Sequence, residues 1–105
     1  PSLLDAEGKP LESIKNHNIH RNNPRSAIGY VEPGHYVMVV VDGRQTASEG
    51  MTLTALAELF SQKGCKVAYN LDGGQTAEMA WQGELISVPY EGGRAVGDIV
   101  MIVEE

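Results

Sequence analysis

The run Asn70-Leu71-Asp72-Gly73-Gly74-Gln75-Thr76 gathers side chains able to do chemistry at the point where an apolar stretch stops. Asn70 and Asp72 put an amide and a carboxylate two residues apart. The glycine pair behind them lets the backbone turn through φ > 0 and come close to a ligand. A loop of free amides that follows a strand and opens a helical turn attracts an anion, because unpaired N–H groups and the helix dipole both favour negative charge. Arg25, Arg44 and Arg94 are the candidate partners for a phosphate, since a guanidinium presents a planar fork. Arg25 stands directly before a strand, which gives its side chain a fixed starting direction. Asp42 and Glu78 add further carboxylates. Paired carboxylates can act on a glycosidic carbon or hold a divalent cation such as calcium through hard oxygen ligands. The residue types leave both chemistries open, along with a plain tight turn closed by an Asx hydrogen bond.

These side chains need elements to position them. Tyr36-Val37-Met38-Val39-Val40-Val41 is a continuous β-favouring run, as expected of a strand covered on both faces. Leu53, Leu56, Ala57 and Phe60 repeat at helical spacing, with Thr52 as N-cap and Gly64 just past the end, so a helix is expected over 52–63. Val67, Ala68, Tyr69 and Leu71 read as a short buried strand. Strand, helix and strand make a βαβ unit, in which Asp42-Gly43-Arg44 and the 70–74 run share one sheet edge. Before it, Leu3-Leu4 reads as a short strand ending in the 5–9 turn. Ala27-Ile28-Gly29-Tyr30-Val31 reads as another, joined to the next strand by a turn at Glu32-Pro33-Gly34-His35. After it come one or two helical turns over 76–80 and a hairpin turn at Gln82-Gly83-Glu84. A loop over 89–93 and a well-covered last strand over 98–103 complete the chain. The class is α+β, with a mixed sheet built round the βαβ unit.

The 105 residues allow one domain with one modest core. Fourteen acidic against 8 basic residues give a formal charge of −6, which argues against nucleic acid as a partner. No apolar run approaches the roughly 20 residues of a transmembrane helix. Cys65 is the sole cysteine and reads as a small core residue, so an internal disulfide and a cysteine-based metal cluster are both excluded. His17, His20 and His35 read as loop histidines.

Taken together, several runs resemble the phosphodiester glycosidase family. They are Asn23-Pro24-Arg25-Ser26-Ala27-Ile28-Gly29, Val40-Val41-Asp42-Gly43-Arg44, Gly50-Met51-Thr52-Leu53 with Leu56-Ala57, Asn70-Leu71-Asp72-Gly73-Gly74, and Arg94-Ala95-Val96. The resemblance covers roughly 22–103. It implies hydrolysis of a sugar 1-phosphodiester, with Arg25 holding the phosphate helped by the Gly73 and Gly74 amides. Asp72 would do acid-base or electrostatic work on the sugar side, and Asn70, Asp42 and Arg44 would position the site. Gln75 and Thr76 complete that loop, Gln75 standing where the family usually has a third glycine. Asp98 stands where an asparagine is common. The resemblance also implies that the chain is the carboxyl-terminal part of a larger domain, with the amino-terminal half as a partner or self-association in its place. An extracellular or cell-envelope setting in a bacterium follows from the family's envelope and exopolysaccharide-associated members. The alternative is a noncatalytic carbohydrate- or phosphate-binding module of the same fold.

Overall fold

A computed structural model describes residues 2–16, 21–97 and 99–103. His17, His20 and Asp98 lie outside the described residues. Strand β1 (Arg25–Glu32) turns at Pro33-Gly34 into β2 (His35–Val41), and helix α1 (Leu53–Gln62) carries the chain across to β3 (Val67–Asn70). Two short strands, β4 (Ala80–Trp81) and β5 (Glu84–Leu85), form a separate hairpin. Its turn residues Gln82 and Gly83 both take positive φ, as the sequence suggests for a tight two-residue turn.

The α+β class and the helix hold, and the sheet order is β2-β1-β3. β1 pairs antiparallel with both neighbours, so β2 and β3 point the same way without touching. The expected parallel pair therefore has β1 inserted between its strands, and every pairing of the described sheet is antiparallel. The physical reason lies in the Pro33-Gly34 turn. It closes β1 onto β2 as a hairpin, and the crossover helix then delivers β3 to the open edge of β1. Register still brings the two carboxyl ends together, because Val41 faces Arg25 and Asn70 faces Ala27.

Helix α1 forms where its caps and its apolar stripe agree. Thr52 Oγ1 accepts the Ala55 N–H at 3.1 Å, and the chain leaves through Lys63 into Gly64 at φ +81°. Leu53, Leu56, Ala57 and Phe60 are buried on one face of the sheet, against Ala27, Ala68, Leu3 and Leu4. Each large side chain so buried contributes about 1.5–3 kcal/mol. Gly29 makes the close approach possible: a Cβ there would meet Phe60 Cδ1 at 2.6 Å and Cys65 Sγ at 2.7 Å. Cys65 is a buried core residue, and burial pushes its thiol pKa up.

The other face is bare. Tyr36, Met38, Val67 and Tyr69 are 58%, 37%, 55% and 50% exposed, so the expectation that β2 is covered on both faces is not met. Only one layer of helix packs on this sheet among the described residues. The last run, 99–103, is exposed and takes no strand pairing, although its sequence is β-favouring. Residues 74–76 make a single 3-10 turn rather than the longer helical stretch expected over 76–80.

Candidate functional site

The site is built round Asn23-Pro24-Arg25 at the carboxyl-end edge of β2 and β3. Pro24 is fully buried, and glycines flank it on both sides. A Cβ on Gly43 would lie 2.6 Å from Pro24 N, and one on Gly73 would lie 2.7 Å from Pro24 O. The glycines of the two converging loops thus admit a third segment of backbone. Asn23 is bridged to Met51, with Met51 N donating to Asn23 O at 3.0 Å. Leu71 N donates to Ser26 O at 2.8 Å, and the Ser26 hydroxyl donates to Asp72 O, which fixes the 70–74 loop against β1.

Asn23, Pro24, Arg25, Arg44, Asn70, Leu71, Asp72, Gly73 and Gly74 line an open cavity of about 290 Å³. Three candidate segments of the sequence, 23–25, Arg44 and 70–74, meet there, and the side chains have distinct settings. Arg25 is buried, with Nε donating to Met51 O and Nη2 to Arg21 O, each at 2.9 Å. Burial, and then the charge of Arg44, lower its pKa from the ordinary guanidinium value. Arg44 is the more exposed of the two and sits at φ +56°, the left-handed region that an arginine seldom occupies. Its Nη2 donates to Asn23 Oδ1 at 3.2 Å, and its guanidinium carbon lies 5.1 Å from the centre of the Tyr90 ring.

Asp72 is exposed and lines the same cavity. Its Oδ1 accepts the Gly73 N–H at 3.1 Å, and its Oδ2 lies 2.8 Å from the Thr76 hydroxyl, which is also 2.8 Å from Gly73 O. Asn70 is buried, and its Oδ1 has no hydrogen-bond partner among the described residues. A buried acceptor left in that state costs about 1–3 kcal/mol, which a ligand donor would recover.

The amides expected to cradle an anion point elsewhere. Gly73 N donates to Asp72 Oδ1 and Gly74 N to Pro24 O at 3.0 Å, so both are spent on holding the loop. The positive charge at the cavity lies instead on the two guanidiniums, Arg25 and Arg44. Asp42 is outside the cavity lining: its Oδ1 accepts the Val88 N–H at 3.0 Å, and its carbonyl accepts the Ser48 hydroxyl at 2.6 Å. Gln75 and Arg94 also stand outside the lining, and Arg94 N donates to Glu78 Oε1 at 3.1 Å. Among the described residues no group of three or more His, Cys, Asp or Glu could hold a metal ion.

Two residues at the site escape a reading of the sequence. Asn23 was legible only as the first residue of the Asn23–Gly29 run, with no role of its own, and Tyr90 sits in a loop whose Pro89 and Gly92-Gly93 signal a turn and nothing more. Tyr90 reaches Arg44 because Val88 is tied to Asp42 and to Gln45 Nε2, which donates to Val88 O at 2.6 Å.

Comparison with known proteins gives this geometry a family. The family model described as phosphodiester glycosidase matches residues 1–103. The prophage-derived uncharacterized protein YomE of Bacillus subtilis is 37% identical over 86 residues, covering 81% of this chain and 13% of that protein. N-acetylglucosamine-1-phosphodiester alpha-N-acetylglucosaminidase of Bos taurus is 37% identical over 67 residues, covering 64% of this chain and 12% of that protein. Among solved structures, the zebrafish catalytic domain of that enzyme, auto-inhibited by its pro-peptide, superposes with a TM-score of 0.69. It is 29% identical and covers 84% of this chain and 33% of that one. A hypothetical protein from Synechocystis superposes at 0.67 with 26% identity, covering 85% of this chain and 17% of that one. The chain therefore spans about an eighth of the length of the curated relatives it matches. With nearly its whole length, residues 1–103, matched in this way, the chain belongs to the phosphodiester glycosidase family.

Proposed function

We propose that this chain supplies the phosphate-binding side and part of the catalytic side of an enzyme that hydrolyses a sugar 1-phosphodiester, freeing the sugar from the phosphate ester. The observation that carries this reading is the placement of two guanidiniums, Arg44 and Arg25, beside the Asp72 carboxylate at one cavity in a chain of net charge −6. Cationic groups gathered against the overall charge favour an anionic ligand. Arg44 takes the phosphate oxygens, and Arg25 supports it from beneath as a second positive charge. A sugar hydroxyl donating to Asn70 Oδ1 would satisfy the buried acceptor and set the ring against Asp72. From there the Asp72 carboxylate stabilises the positive charge that develops on the anomeric carbon, or activates the attacking group. The phosphate monoester is already a fair leaving group, which lessens the need for a strong general acid.

The relatives' greater length supports a further part of this reading: the reaction requires polypeptide beyond these residues, and the 105-residue chain alone turns over little substrate. A bacterial source is proposed with it, on the likeness to a Bacillus subtilis protein, and an extracellular or envelope setting is proposed on the family resemblance alone. The test is ³¹P NMR of the protein carrying this chain, incubated with a sugar 1-(methyl phosphate) diester. Conversion of the diester signal to methyl phosphate, abolished in Asp72→Asn, is the expected result. Ligand binding without conversion would identify a binding module instead.

A further inference from the structure

We propose that Tyr90 is the positioning residue for the anion site: its ring face holds the Arg44 guanidinium over the cavity and so sets the affinity for a phosphate diester. This rests on the reading of Arg44 as the phosphate contact. Arginine is long and flexible, and Arg44 starts from a left-handed backbone at φ +56°, so its place in the cavity wall has to be imposed by neighbours. Three neighbours impose it. Tyr90 covers one side at 5.1 Å from ring centre to guanidinium carbon, within the range of a cation–π contact. Gly74 lies against the guanidinium, where a Cβ would stand 3.5 Å from both terminal nitrogens. Asn23 Oδ1 accepts from Nη2 at 3.2 Å.

The ring is itself held by the loop that it serves. Asp42 and Gln45, on either side of Gly43-Arg44, bind the N–H and the carbonyl of Val88. Pro89 is buried, and Gly93 N closes back on Tyr90 O at 3.1 Å. At the far end Arg94 N is anchored by Glu78 Oε1. Tyr90 therefore rides on a strap clamped to the arginine's own loop. This also gives Asp42 a duty that its distance from the cavity lining leaves unexplained.

The experiment is calorimetric titration of the protein with inorganic phosphate and with a sugar 1-(methyl phosphate) diester, for Tyr90→Phe, Tyr90→Leu, Tyr90→Ala and Arg44→Ala. Phenylalanine keeps the ring face, so Tyr90→Phe should bind within about twofold of the unaltered protein. Leucine keeps apolar bulk and loses the ring quadrupole, so Tyr90→Leu and Tyr90→Ala should each weaken both ligands about five- to tenfold. In the Arg44→Ala background the Tyr90 substitutions should add nothing, since their effect passes through the arginine. KM for the diester should rise in Tyr90→Leu with kcat little changed. Near-UV circular dichroism identifies any variant that fails to fold, and Tyr90→Leu carries the test if Tyr90→Ala does. If Tyr90→Leu binds like the unaltered protein while Arg44→Ala does not, this proposal is overturned and the phosphate reading survives. If Arg44→Ala itself leaves binding unchanged, the phosphate reading falls first.

Discussion

Replacing Arg25 by lysine keeps the charge and discards the fork that donates to Met51 O and Arg21 O. Buried bonds from a charged donor are at stake, so we expect Arg25→Lys to lower stability by about 1.5–3 kcal/mol in urea unfolding. An unchanged unfolding midpoint would show that those carbonyls are satisfied without it. Asp72 is the complementary case, since it is exposed and its substitution leaves the core untouched. Asp72→Asn should lower kcat roughly a hundredfold or more while leaving phosphate binding nearly as it was. A variant with near-normal turnover would reduce Asp72 to a turn residue held by Gly73 and Thr76. Cys65 makes a third prediction. Its raised pKa and burial keep it as a shielded thiol, so a thiol reagent at pH 8 should label it only after denaturant is added. Fast labelling of the folded protein would contradict that placement. At this scale the sequence disclosed Asn70, Asp72 and the glycines, because polar and flexible residues clustered at a strand end are conspicuous. It could not disclose what the glycines do. Their value lies in contacts with Pro24, nearly fifty residues away in the case of Gly73, and no local pattern carries such a distance.

Helix α1 was legible to within a residue at each end because three independent signals agree: the apolar stripe, the Thr52 cap and Gly64. Thr52→Ala should cost about 1 kcal/mol, read as a shift of the thermal midpoint, and Thr52→Ser should restore most of it. The strands were legible as strands and illegible as neighbours. Period and composition say that 27–31, 36–41 and 67–71 are extended, within two residues of the strands at either end, but the order β2-β1-β3 depends on which edge the crossover reaches. Gly29 on β1 records that packing, since its missing side chain is where Phe60 and Cys65 approach. Gly29→Ala should destabilise by about 1–3 kcal/mol through overpacking. Pairing it with Phe60→Leu should recover part of the loss, and a double variant no more stable than Gly29→Ala would place the strain elsewhere. The 99–103 run misled for a related reason: β propensity describes what a segment tolerates, and pairing needs a partner edge.

At the scale of the whole molecule, the α1 side of the sheet holds the core and the opposite side presents Tyr36, Met38, Val67 and Tyr69 to solvent. The Tyr30 and Tyr36 rings pack 5.6 Å apart on that exposed side. An apolar face of this kind drives association, so light scattering of the 105-residue chain should show mass rising with concentration. Tyr36→Lys with Tyr69→Lys should return it to a monomer without altering far-UV circular dichroism. A monomer at all concentrations would mean that the face is tolerated bare. The central claim, that the cavity cleaves the bond between sugar and phosphate oxygen, concerns which atom water attacks. Hydrolysis of a sugar 1-(methyl phosphate) diester in ¹⁸O-labelled water, by the protein that carries this chain, measures that directly. The account predicts the label on the anomeric carbon of the released sugar and none in the methyl phosphate; label in the phosphate would mean attack at phosphorus and contradict it.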